Sequence, residues 1–156
     1  MEKAVSKKAF QVDFKNEKPD SFSIDLKGEN AVLNLIQGAE KYSIAFGSGE
    51  WVKAETNKMG PNLFTFAQNH QVGLAPFKIA GSFAWLDANT VEFKQRYIES
   101  PHSEIIQIKF DGEKASITFI DNFERKAKKP EYEAKGRILN GRKTGDRNSV
   151  FQNSKA

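Results

Sequence analysis

A chain of 156 residues is long enough for one domain with a sizeable core and short for two. It has no cysteine, which excludes a disulfide framework, a thiol nucleophile and a thiolate metal site. The net charge of +4 is unevenly placed: residues 1–120 carry 14 Lys/Arg against 15 Asp/Glu, and residues 121–156 carry 10 against 5.

Apolar residues alternate with polar ones along most of the chain, the period of a strand with one buried face. At 9–14, "AFQVDF" sets Phe10, Val12 and Phe14 on one face. After the polar turn "KNEKPD", "SFSIDL" does the same with Phe22, Ile24 and Leu26. "KGEN" is a turn, "AVLNLI" the next strand, and Gly38 ends it. "KYSIAF" aligns Tyr42, Ile44 and Phe46; "GSGE" is a turn or bulge, and "WVKAE" continues beyond it. Residues 56–73 are irregular and hold Gly60-Pro61, with one short strand candidate, "LFTFA" at 63–67. "LAPFKIAGSFAW", "TVEFKQRYI", "EIIQIKF", "KASITFI" and "EYEAKGRIL" follow. Asp87-Ala88-Asn89 and Asp111-Gly112 mark hairpin turns between them.

No window shows a 3.6-residue apolar stripe, so the expectation is nine or ten strands and at most a short helix. Thirteen Phe with two Trp and three Tyr suit such a β-rich core. A long antiparallel meander must cover its edges or close on itself. The fold expected is all-β, an antiparallel up-and-down β-barrel, with a two-sheet β-sandwich as the alternative. One barrel domain is assigned to residues 1–140. Residues 141–156, polar and basic with a single Phe, read as a disordered tail.

A nucleic-acid surface would interleave basic and aromatic residues, which the tail does not, so no nucleic-acid partner is expected. No apolar run approaches the roughly 20 residues of a membrane-spanning helix. The basic first ten residues lack the apolar stretch of a secretion signal. His70 and His102 are 32 residues apart without converging ligands nearby, so neither a metal nor another cofactor is expected. G-x-S-x-G and S-x-x-K do not occur, no Tyr is followed two residues on by Asn, and "KTG" at 143–145 stands in the tail without partners. Asp and Glu fall mostly at turns or on polar strand faces and form no evident acid/base pair.

Arg96 and Glu92 share the face of "VEFKQRYI" opposite Val91, Phe93 and Tyr97. Arg96 therefore faces outward if those residues face the core. In a hollow barrel it is a rim residue or a buried charge needing Glu99 or Glu104. Trp85 reads as a plug at the barrel end.

The stretch 81–120 resembles the lipocalin-like C-terminal domain that follows the catalytic domain in serine hydrolases of the β-lactamase/penicillin-binding-protein-like class. The residues that carry the resemblance are Trp85, Arg96-Tyr97, Glu99-Ser100-Pro101 and Phe110-Asp111-Gly112, with Gly47, Gly49 and Trp51 in the preceding strand pair. The resemblance implies a lipocalin-like barrel without catalysis of its own. Such a barrel would pack on a hydrolase domain, shape access to it, or mediate homo-oligomerisation; the resemblance allows a periplasmic or secreted location without fixing one. Trp85, Arg96, Tyr97, Glu99 and His102 are the candidate ligand- or partner-binding residues. The alternative is a free-standing lipocalin-like binder of a small apolar ligand. A small enzyme is a third reading, for which no nucleophile, metal cluster or cofactor loop is evident.

Overall fold

The computed structural model describes residues 8–12, 20–60, 75–122 and 131–138. Phe14, the strand candidate at 63–67, His70, the triplet 143–145 and the tail 141–156 lie outside the described residues. Those described form ten strands: β1 (Lys8–Val12), β2 (Ser21–Lys27), β3 (Asn30–Gln37), β4 (Glu40–Ser48), β5 (Val52–Thr56), β6 (Phe77–Trp85), β7 (Thr90–Tyr97), β8 (Ser103–Asp111), β9 (Lys114–Asp121) and β10 (Glu131–Ile138). No helix occurs among them, and none is long and apolar enough to cross a membrane.

The strands form one sheet in the order β4-β3-β2-β1-β10-β9-β8-β7-β6-β5. The first and last strands pair antiparallel, Phe10 opposite Gly136. A parallel contact of β4 with β6, Gly47 opposite Ser82 and Ser48 opposite Phe83, brings the two ends of the sheet together. The architecture is thus a nearly closed up-and-down barrel rather than a sandwich. Three short hairpins begin their loops with Gly28, Gly38 and Gly112 at φ of 61°, 58° and 60°. Primed hairpin turns demand this left-handed conformation, which glycine adopts without steric cost.

The inward face follows the alternation. In β7, Val91, Phe93, Gln95 and Tyr97 are buried; in β8, Glu104, Ile106, Ile108 and Phe110. Aromatic rings join distant strands. Phe22 stacks on Phe10 at 5.0 Å between centroids, Phe10 meets Phe110 at 5.4 Å, and Phe110 meets Trp85 at 6.2 Å. Phe10 and Phe110 are three strands apart. They meet across register positions held by the small residues Gly136 and Ala115.

Closure depends on a missing side chain. A Cβ on Gly81 would lie 2.5 Å from the Ala45 carbonyl oxygen and 2.8 Å from the Phe46 ring, well inside contact distance. Gly81 therefore lets the β4 backbone approach β6. We predict that Gly81→Ala, an otherwise mild change, lowers stability by about 1–3 kcal/mol through overpacking. Urea unfolding measures it; an unchanged midpoint would show that β4 and β6 are not in such close contact.

Candidate functional site

Two inward positions break the apolar lining. Gln95 follows Phe93 on the buried face of β7, and Glu104 precedes Ile106 on that of β8. The antiparallel register sets them directly opposite each other. Gln95 Nε2 donates to the Tyr97 hydroxyl at 2.7 Å and to Glu104 Oε2 at 3.4 Å. The reverse amide orientation would set an oxygen against that carboxylate, so the hydrogen bonds fix the orientation.

The segment after β5 completes the cluster. Thr56 Oγ1 accepts from the Lys58 backbone N–H at 3.1 Å and turns the chain over the barrel end. The Lys58 carbonyl accepts from the Tyr97 hydroxyl at 3.1 Å, and its ammonium meets Glu104 Oε2 at 2.7 Å. Gly60 lies so close to the Tyr97 ring that a Cβ there would stand 2.7 Å from it. The Lys58 and Glu104 side chains are only 15% and 11% exposed, so this is a largely buried ion pair. Burial, reinforced by the Glu104 carboxylate, holds the Tyr97 hydroxyl well above the usual tyrosine range and keeps it a proton donor. The Phe77 ring meets Tyr97 edge-on at 6.2 Å and closes the apolar side.

The five residues expected to bind a ligand or partner do not form one cluster. Tyr97 belongs to the interior group just described. Trp85 packs on Phe110 beside the opposite turn, where the Leu86 amide donates to the Thr90 carbonyl at 2.8 Å and the Phe110 amide to the Asn89 carbonyl at 2.8 Å. Arg96 lies outside, its guanidinium 5.5 Å from the centre of the exposed Trp51 ring, and pairs with neither Glu99 nor Glu104. Glu99 is exposed and bridges to Lys78 at 2.9 Å, which raises the Lys78 pKa. His102 is half-buried in the turn after β7, where its carbonyl accepts from the Tyr97 amide at 3.0 Å. Among the described residues, no three His, Cys, Asp or Glu converge to hold a metal ion.

No protein-family model and no curated protein matches the sequence. Solved structures do. The chain is similar to a fatty acid-binding protein from the brain of Drosophila melanogaster, with 13% identity, TM-score 0.55, and coverage of 84% of this chain and 98% of that one. It is also similar to a secretary abundant heat soluble (SAHS) protein of Ramazzottius varieornatus, with 10% identity, TM-score 0.56, and coverage of 85% and 94%. Lipid binding protein 8 of Caenorhabditis elegans matches at 12% identity, with TM-score 0.50 and coverage of 75% and 70%. At such identities the likeness carries the fold, a nearly closed all-β barrel of the lipocalin-like kind.

These neighbours overturn the resemblance to the C-terminal domain of β-lactamase-like serine hydrolases. Two of the matching barrels are fatty-acid- and lipid-binding proteins, and nothing in these comparisons points to a hydrolase or to a hydrolase partner. The physical reason lies in what the resembling residues do. Tyr97 and Phe110 are buried inward, Trp85 packs against that core, and Gly112 makes a hairpin at positive φ. These residues serve the packing and turns of the barrel itself.

The ion pair yields an asymmetric prediction. Lys58→Met strands the Glu104 carboxylate in the wall and is expected to cost about 3 kcal/mol. Glu104→Leu costs less, because the long Lys58 stem can carry its ammonium to water. Urea unfolding of both variants decides; equal losses would show that the pair is not held inside the wall. Tyr97 gives a pH signature. Its raised pKa means that the folded chain keeps a proton which the unfolded chain releases near its ordinary value of about 10. Its contribution is therefore fully present below that pH and declines above it. Tyr97→Phe should flatten the decline, read from urea midpoints between pH of roughly 9 and 11; parallel curves would contradict the assignment.

Proposed function

We propose that the protein binds a small apolar ligand within its barrel. The observation that carries this reading is the composition of the inward face: apolar throughout the long strands, with one hydrogen-bonded polar group of Gln95, Tyr97, Glu104 and Lys58 at one end. Apolar lining with a few placed polar groups is the usual make-up of a small-molecule site. The ten-strand count supports it, because barrel diameter grows with strand number and eight strands already suffice to hold one small ligand. The names of the Drosophila fatty acid-binding protein and the nematode lipid binding protein support it as well.

Entry is assigned to the end that carries the polar group. There residues 56–58 turn the chain away from β5, whereas short turns at 86–89 and 112–113 close the other end over Trp85 and Phe110. In this reading Tyr97 touches the ligand, Glu99 and His102 stand at the rim, Trp85 floors the site, and Arg96 clasps the outer wall.

Nile red, an uncharged apolar dye, tests the proposal. Saturable one-to-one binding with a rise in the thermal midpoint is expected, since a ligand at about 100 times its Kd stabilises the fold by about 2.7 kcal/mol. Arg96→Gln should leave the dye affinity unchanged, because Arg96 lies outside. Binding that never saturates, or that shows no thermal shift, would sink the reading.

A further inference from the structure

We infer that the ligand is uncharged and carries a hydroxyl group, and that Gln95 Oε1 accepts its hydrogen bond. This deepens the ligand-binding reading and rests on it. Gln95 is 1% exposed, and its Nε2 is committed to Tyr97 and Glu104. Its Oε1 is buried without a hydrogen-bond partner. Buried amide oxygens are nearly always paired, so this one calls for a donor. None of the polar groups of the cluster donates to it. The Tyr97 hydroxyl gives its proton to the Lys58 carbonyl, and the Lys58 ammonium is held by Glu104. Trp85 Nε1 is a buried donor without a partner. It sits at the far end of the wall: Gln95 pairs with Gly81, four residues before Trp85, or roughly 13 Å along the strand.

Charge narrows the ligand further. Lys58 and Glu104 neutralise each other at 2.7 Å. A ligand carboxylate would have to take Lys58 from Glu104, and a ligand ammonium would have to take Glu104 from Lys58. Either exchange leaves a charge unpaired inside the wall. A hydroxyl needs no such exchange. It donates to Gln95 Oε1 and leaves the Lys58–Glu104 pair intact.

Displacement of Nile red by three twelve-carbon compounds tests this: dodecanol, 1-methoxydodecane and dodecanoate at pH 8. Dodecanol should displace the dye at about ten-fold lower concentration than the ether, which lacks a donor, and than the acid, which is charged. Gln95→Leu should bring the alcohol-to-ether ratio to about one. If that variant does not fold, the alcohol-to-ether ratio of the unaltered protein decides alone. A wild-type preference for dodecanoate, or equal displacement by alcohol and ether, overturns the hydroxyl assignment while the binding reading stands. Failure of Nile red itself to bind overturns both.

Discussion

A meander of ten strands begins with two unpaired edges, and this chain joins them through a parallel contact of two residue pairs between β4 and β6. Everything inside the barrel depends on that short seam. Were β4 and β6 apart, the inward rings of Phe46 and Phe93, now 4.9 Å between centroids, would lose each other and open the core to water. The β6 positions nearest to the seam carry small residues, Ala80, Gly81 and Ser82, and Arg96 reaches from β7 to stack on Trp51 beyond β5's start.

The interior group at the other end ties a connecting segment to the wall. Lys58 uses its carbonyl, its amide and its ammonium within a few residues of chain: on Tyr97, on Thr56 and on Glu104. Gly60 then lies flat on the Tyr97 ring. The segment after β5 and the inward polar residues beside it are thus one hydrogen-bonded unit. Moving the segment would break the ion pair and the Tyr97 hydrogen bond together.

The strands, the hairpins and the closed meander were legible because period-two alternation and turn glycines are local signals. The same parity sends Arg96 outward when Val91 and Phe93 face inward, as they do. The interior polar group is less legible. Gln95 and Glu104 could have been found, since each is a polar residue on an inward parity position of an otherwise apolar strand face, and adjacent strands bring them opposite. Arg96 and His102 are more conspicuous by residue type, but one lies outside and the other in a turn. Lys58 left no signal. It comes from an irregular stretch 46 residues away from its carboxylate partner, and nothing in the spacing of charges announces that meeting. The resemblance to a hydrolase-appended barrel failed for a related reason. Aromatic strand faces and Asp-Gly turns report a barrel's geometry, not its company.

The polar group is also hard to explain as a device for stability. An apolar barrel wall with leucine at both Gln95 and Glu104 would satisfy the same packing without desolvating a carboxylate, and buried ion pairs are often matched or surpassed by well-packed apolar residues. Hydrogen bonding recovers much of that cost, for Glu104 Oε2 receives both Lys58 and Gln95. It does not recover all of it, because Gln95 Oε1 remains unmatched. The unmatched Gln95 Oε1, more than the likeness to lipid-binding barrels, is the observation on which the proposal of a hydroxyl-bearing ligand rests.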